Sequence, residues 1–240
     1  MGRINLSINQ SFTLIKKYAW ILTLVVAIGG LWYPRLGLLV MPIMISLITM
    51  SFFKGRYWCG NFCPHGSFFD QLLSSFSKNR KIPGVFRSKI IAVLFFLFFS
   101  YNLGRRFLNT AKLWETVEFW DKLGFIFVVS YLMVVIVGGG LSIFISYRTW
   151  CHICPMGTMQ RMSYSLGKLL GIARKTDSKV TISRKDSCVS CGKCAAVCPM
   201  QLSPYTGFSE MKQFDNELCI RCSKCVENCP LGILSLAKEA

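Results

Sequence analysis

Long apolar runs alternate with short basic connections over the first two thirds of the chain, and then the pattern stops. Four such runs stand at residues 18–33, 36–53, 90–101 and 123–147. A helix needs about 20 residues to cross a hydrocarbon core of roughly 30 Å, and the third run reaches that length only with Ser88, Lys89 and residues 102–104 at its ends. Tyr18, Trp20, Trp32 and Tyr33 bracket the first run, as aromatics at a membrane interface do. Beyond about residue 174 polar and apolar residues mix. The pattern predicts an α-helical membrane protein with four transmembrane helices, followed by a small, more polar domain. Its boundaries divide the chain into 1–173 for the helices, a basic and polar linker at 174–185, and 186–240 for the terminal domain.

A cleavable signal peptide is the alternative for the first run, because Lys16 and Lys17 precede it. Residues 28–34, IGGLWYP, put bulky aromatics where a small-x-small cleavage site belongs, and a second apolar run follows at once, so a retained span is expected. Arg3, Lys16 and Lys17 precede the first run, and Lys54, Arg56, Lys78, Arg80, Lys81, Arg87 and Lys89 lie between the second and third. The first hairpin has only Arg35, and the 105–122 loop mixes Arg105, Arg106, Lys112 and Lys122 with three acids. Positive residues accumulate on the cytoplasmic side, so both termini are expected there, in a multi-pass protein of a bacterial-type inner (cytoplasmic) membrane. The 105–122 loop, with Trp114 and Trp120, is expected outside, partly as an interfacial helix.

The chain also repeats itself. Residues 56–66 read RYWCGNFCPHG after the second run, and residues 148–157 read RTWCHICPMG after the fourth. Each unit is then two spans and a Cys-containing turn, and two such pseudo-repeats are expected to pack about an axis along the membrane normal. That would gather Cys59, Cys63, Cys151 and Cys154 at one membrane surface.

Composition and charge narrow the class. With 52% hydrophobic residues among 240 the chain is too apolar for an ordinary soluble domain. The net charge of +17 is explained by basic residues flanking apolar runs, so no nucleic-acid partner is expected. Of the 12 cysteines, those of the C-terminal stretch follow metal-ligand rather than disulfide spacing. Cys188-x2-Cys191-x2-Cys194-x3-Cys198-Pro199 recurs as Cys219-x2-Cys222-x2-Cys225-x3-Cys229-Pro230. In such runs three thiolates hold one iron–sulfur cube and the fourth reaches the other. The expected wiring is Cys188, Cys191, Cys194 and Cys229 on one [4Fe–4S] cluster, and Cys219, Cys222, Cys225 and Cys198 on a second. A pair of zinc knuckles is the alternative, disfavoured because the whole four-cysteine spacing occurs twice, each time followed by Pro. Here the sequence resembles the bacterial two-cluster ferredoxins over about its last 55 residues, which implies a small α+β domain of ββ/α fold that carries single electrons.

Cys59, Cys63, Cys151 and Cys154 admit three readings: buried structural thiols, a thiol–disulfide switch, or ligands of a third iron–sulfur cluster. With their motifs in view, nearly the whole chain resembles the NapH-like membrane-bound polyferredoxins, 4Fe–4S quinol dehydrogenase membrane subunits related to the membrane parts of NosR and CcoG. The family pattern is four spans, two Cys-x3-Cys-Pro motifs and a pair of ferredoxin motifs. Residues 59–64 match it, whereas Cys151-His152-Ile153-Cys154-Pro155 is one residue short. The resemblance implies an electron-transfer subunit of an oxidoreductase complex, relaying electrons between the quinone pool or a membrane partner and cytoplasmic-side clusters. Expected partners are membrane lipid, a quinone, and cytochrome, flavoprotein or iron–sulfur subunits. The alternatives are an accessory protein that reduces a metal or cofactor of another enzyme, and a redox sensor.

Further residues carry smaller expectations. His65 and His152, beside the Cys-Pro motifs, are the candidates for quinone binding or proton exchange. Asp70 is expected to pair with a basic side chain, Pro42 to kink the second span, and Gly29, Gly30 and Gly138–Gly140 to allow close packing.

Overall fold

The structure is a computed structural model that describes residues 14–208 and 212–238. Arg3, counted above for orientation, lies outside the described residues. Among the described residues, four helices are long and apolar enough to cross a membrane: Leu14–Leu31, Pro34–Lys54, Lys89–Ala111 and Glu118–Phe144. The chain divides into two compact units, Met1–Leu47 with Asn61–Thr158, and Ile48–Gly60 with Met159–Ala240.

In the first unit the apolar helices bury Val26, Ala27, Val40, Phe127, Val128 and Tyr131 in one cluster. Glycine makes the approach possible. A Cβ on Gly37 would run into the carbonyl of Gly124, and one on Gly124 into that of Pro34, so these backbones touch directly. The third helix has 23 residues, longer than its apolar run, because Arg105 to Ala111 continue it. Arg105 lies over the ring of Tyr101, 5.8 Å from its centroid, and Phe107 packs edge-on against Phe127. Glu118 already opens the fourth helix, so no separate helix forms within 105–122: residues 105–111 and 118–122 extend the two long helices, and 112–117 form the turns between them. Pro42 does not kink the middle of the second helix. Residues Pro34–Leu39 are 3-10 and the α-helical part starts at Val40, which places Pro42 in a first turn, where its missing N–H is not needed. The fourth helix widens into a π turn at Val134–Gly138. There Gly138 lets Phe69 and Trp150 approach: a Cβ would stand 3.0 Å from Phe69 Cζ and 3.2 Å from Trp150 Cγ.

The second unit joins the end of the second helix to the C-terminal part of the chain. Ser163 donates to the carbonyl of Ile48 at 3.3 Å and Thr176 to that of Phe53 at 3.0 Å, while Gly167 lies against the carbonyl of Phe52. The helix Pro155–Leu169 ends at Gly171, whose φ of +73° suits glycine. The 174–185 segment is not a linker. Its residues Ser178–Ile182 form strand β1, which pairs antiparallel with β2, Leu234–Lys238, in the register Ser178↔Lys238 to Ile182↔Leu234. The reason is the alternation of Lys179-Val180-Thr181-Ile182, which puts Val180 and Ile182 into a core with Phe208, Ile233 and Leu234. That core is small, and five cysteines pack against it: Cys188, Cys194, Cys219, Cys225 and Cys229.

Candidate metal centres

The two C-terminal cysteine runs fold alike, residue for residue, at an offset of 31 in sequence. Ser190, Gly192 and Gln201 of the first have positive φ, and so do Arg221, Ser223 and Gly232 of the second. Each run then enters a one-turn helix, Lys193–Ala196 or Lys224–Glu227. Two left-handed residues per loop curl the backbone inward, so that successive cysteines of a C-x2-C-x2-C run face one centre instead of alternating along an extended chain. The amides exposed by that curl point at sulfur. Tyr205 and Ala195 donate to Cys194, Leu202 and Met200 to Cys198, and Arg221 to Cys219.

Cys188, Cys191, Cys194 and Cys229 line one cavity, together with Gly192, Tyr205, Phe208 and Ile233. The remaining four also lie together. Burial, followed by repulsion from Cys222, Cys219, Cys198 and Cys194, pushes the Cys225 thiol up to about 12. Burial pushes Cys219 up to about 11, although the Arg221 amide and guanidinium oppose the rise. Thiolates so placed need cationic partners. The complete four-cysteine spacing, present twice and each time followed by Pro, suits a cluster of several irons rather than a pair of zinc knuckles. Four of these sulfurs line a cavity and the other four lie close together, an arrangement that fits clusters of several irons.

The Cys-Pro turns are built differently. Cys63 and Cys154 are both extended (φ −62°, ψ 120° and φ −53°, ψ 127°), and each precedes a proline that opens a helix, at Pro64–Phe68 and Pro155–Leu169. The amide of Gly66 donates to Cys63 Sγ at 3.4 Å. Cys151 is buried, and Arg148 Nη1 reaches its sulfur at 3.5 Å. In the other unit Arg56 Nη2 stands 4.0 Å from Cys59 Sγ, and Cys59 donates to Gln160 Oε1 at 3.3 Å. Both arginines are at most 2% exposed. Asp70 does pair with a base: Arg148 grips it through two bonds, Nε to Oδ1 at 2.9 Å and Nη2 to Oδ2 at 2.8 Å. Burial pulls the Arg148 guanidinium down, but Asp70 and then Cys151 outweigh it and hold it well above the usual arginine range.

Within the second unit the Cys59 turn meets a ferredoxin loop. A Cβ on Gly60 would run into the carbonyl of Ile220 and stand 3.2 Å from Cys222 Cβ. Glycine at this position therefore sets how closely the two cysteine-bearing segments approach.

His65 faces a largely apolar cavity of the first unit, whose wall includes Tyr131, Ser130, Trp150, Cys154 and Pro155. Its ring packs on Tyr131 with centroids 4.3 Å apart, and its Nδ1 lies 3.4 Å from Thr23 Oγ1. Burial pushes the imidazole down to about 4, so it is neutral at pH 7. His152 is buried on the short helix Trp150–Ile153 and is not part of that cavity wall. Sequence reasoning missed roles for Arg56, Arg148, Gln160 and Tyr131. The repeated Arg-x-Trp-Cys order was the available signal for the two arginines; nothing in the sequence marked Gln160 or Tyr131.

Three segments match models of known domains. Residues 36–83 match a 4Fe-4S binding domain, residues 146–203 a 4Fe-4S dicluster domain, and residues 180–230 another 4Fe-4S dicluster domain. No curated protein and no solved structure matches the chain. The matched segments contain Cys59, Cys63, Cys151 and Cys154 as well as every cysteine of the two C-terminal runs. With all its cysteines inside such segments and those of the C-terminal runs gathered in two groups of four, the chain is an iron–sulfur protein with ferredoxin-type 4Fe–4S domains.

Proposed function

We propose that this chain is the membrane-anchored electron-transfer subunit of a redox complex, relaying electrons between the quinone pool or a membrane partner and clusters on the cytoplasmic side. The observation that carries the reading is the pairing of four helices long enough to span a bilayer with two four-cysteine groups of ferredoxin type in one chain. In this reading Cys188, Cys191, Cys194 and Cys229 hold one [4Fe–4S] cluster, and Cys198, Cys219, Cys222 and Cys225 the other. Bound clusters supply one-electron redox chemistry. The chain's own residues do the rest. Backbone amides at Cys194, Cys198 and Cys219 offset thiolate charge and so help set potential. Cys59, Cys63, Cys151 and Cys154 are the ligands of a third cluster, with Arg56 and Arg148 as cations beside two of its thiolates. The close approach at Gly60 supports the Cys59 turn as the link to the Cys219–Cys225 loop. His65 and Tyr131, in a cavity whose wall includes Cys154, are the groups we assign to a quinol head group; His65 is neutral at pH 7 and so able to accept a hydrogen bond from a quinol hydroxyl. Both termini lie in the cytoplasm, and a partner subunit carries electrons to the other side.

Anaerobic iron and sulfide analysis with EPR, on the wild type and on a variant with Cys59, Cys63, Cys151 and Cys154 all changed to Ser, tests the third cluster. The variant is expected to lose about four irons per chain and one set of signals. A folded variant with unchanged iron would remove that cluster from the scheme. Quinol-driven cluster reduction in membranes tests the function, and its absence with every common quinol would point to a protein donor.

A further inference from the structure

A cleft of about 540 Å³ opens in the second unit, where the helix Pro155–Leu169 leads toward β1. Lys168, Arg174, Lys175 and Lys179 line it, with Asp177 and Asp215 as its acids. Both acids are already engaged. Asp215 lies 3.4 Å from Lys168 Nζ and 3.1 Å from Lys179 Nζ, and Asp177 takes Arg221 at 2.6 Å and the hydroxyl of Tyr164. Arg174 and Lys175 are exposed and make no ion pair among the described residues. The cleft is therefore a polar recess with an uncompensated positive charge, matched to phosphate chemistry.

The helix that leads into the cleft adds a second feature. Met162, Leu166, Leu169 and Leu170 are 55, 58, 83 and 65% exposed, and their spacing puts them on one helical face. An adjacent side of this helix packs on the last turns of the apolar helix Pro34–Lys54, through Ser163 to Ile48 and Gly167 to Phe52. An exposed apolar stripe, beside unpaired cations and against the end of a membrane-length helix, has the makeup of a bilayer-interface surface.

We propose that this cleft and stripe form a binding site for an anionic phospholipid, its phosphate held by Arg174 and Lys175 and its acyl chains lying along Met162, Leu166, Leu169 and Leu170. A soluble phosphate compound would use the cleft and have no use for the stripe. The site is independent of electron transfer: no cysteine lines it.

Native mass spectrometry of the full detergent-solubilised chain, titrated separately with phosphatidylglycerol, phosphatidylcholine and inorganic phosphate, tests the proposal. The wild type is expected to retain phosphatidylglycerol well above phosphatidylcholine. Changing both Arg174→Gln and Lys175→Gln is expected to weaken phosphatidylglycerol about thirtyfold, roughly fivefold per basic side chain. Changing Leu166→Gln and Leu169→Gln is expected to weaken it as well. Iron content equal to wild type certifies each variant as folded. Equal retention of the two lipids by the wild type, or undiminished phosphatidylglycerol binding in the charge variant, overturns the proposal. Inorganic phosphate bound through Arg174 and Lys175, with lipid binding insensitive to the leucines, overturns it in favour of a soluble anion.

Discussion

The cysteines of the C-terminal runs and those of the Cys-Pro turns face the same electrostatic problem and meet it with different atoms. In the terminal runs, left-handed residues at matching places curl the backbone so that amides, fixed dipoles of the main chain, point at sulfur. The turns, which also aim the Gly66 amide at Cys63, bring a buried arginine to a cysteine three residues on, Arg56 to Cys59 and Arg148 to Cys151. Backbone donors cost no buried charge, and they survive most side-chain substitutions. A buried arginine is stronger and more fragile, because it needs its own counter-ion and leaves that counter-ion stranded when it is removed. The lesson is that similar ligand chemistry does not imply similar sensitivity to mutation.

Removing iron should separate the two regions most sharply. Val180, Ile182, Phe208, Ile233 and Leu234 make a core too small to hold residues 178–238 without bound metal, so chelation is expected to unfold that segment and leave the long helices standing. Limited proteolysis would then cut between residues 186 and 230, while far-UV circular dichroism kept most of its helical signal. Protection of that segment in iron-free protein would show that the core suffices.

Arg148→Met comes next. It strands the Asp70 carboxylate, 4% exposed, and is expected to cost about 3–5 kcal/mol in thermal or denaturant unfolding, partly recovered when Asp70→Asn is added. The corresponding loss of a cation from a terminal loop, Lys193→Met, removes an exposed charge and should stay within about 0.5 kcal/mol. Equal effects of the two would end the contrast drawn above.

Gly60→Ala probes the join between the two kinds of cysteine. The added methyl meets the Ile220 carbonyl, so about 1–3 kcal/mol of overpacking is expected, together with slower electron exchange between the Cys59 turn and the Cys219–Cys225 loop in flash-reduction kinetics. Unchanged rates would mean that electrons do not pass there.

The smallest effect concerns an asymmetry between the two terminal loops. Position 192 is glycine and position 223 is serine, yet both are left-handed, at φ +72° and +63°. Ser223→Gly should stabilise the second loop by about 1 kcal/mol and Gly192→Ala should destabilise the first by a similar amount, read as opposite shifts in the rate of cluster loss on heating. Shifts of the same sign would refute the equivalence of the two positions.

Some of this could be read directly from the amino-acid order, because it is local. Apolar length predicted four membrane-length helices, and the structure has four, with the third extended by Arg105 to Ala111. Cysteine spacing marked two groups of four, because a C-x2-C-x2-C run places its own sulfurs within a few residues of one another. The alternation around Val180 was equally local, but a basic linker concealed it, and β1 has meaning only once β2, more than fifty residues later, pairs with it. Tertiary structure alone decided the rest. Asp70 needed a base, and only folding brought Arg148, 78 residues away, to meet it. Tyr131 joined His65, and Gly60 met Ile220, for the same reason. Spacing along a chain determines which ligands can share a loop; which charges share a buried space depends on contacts between segments that no local pattern encodes.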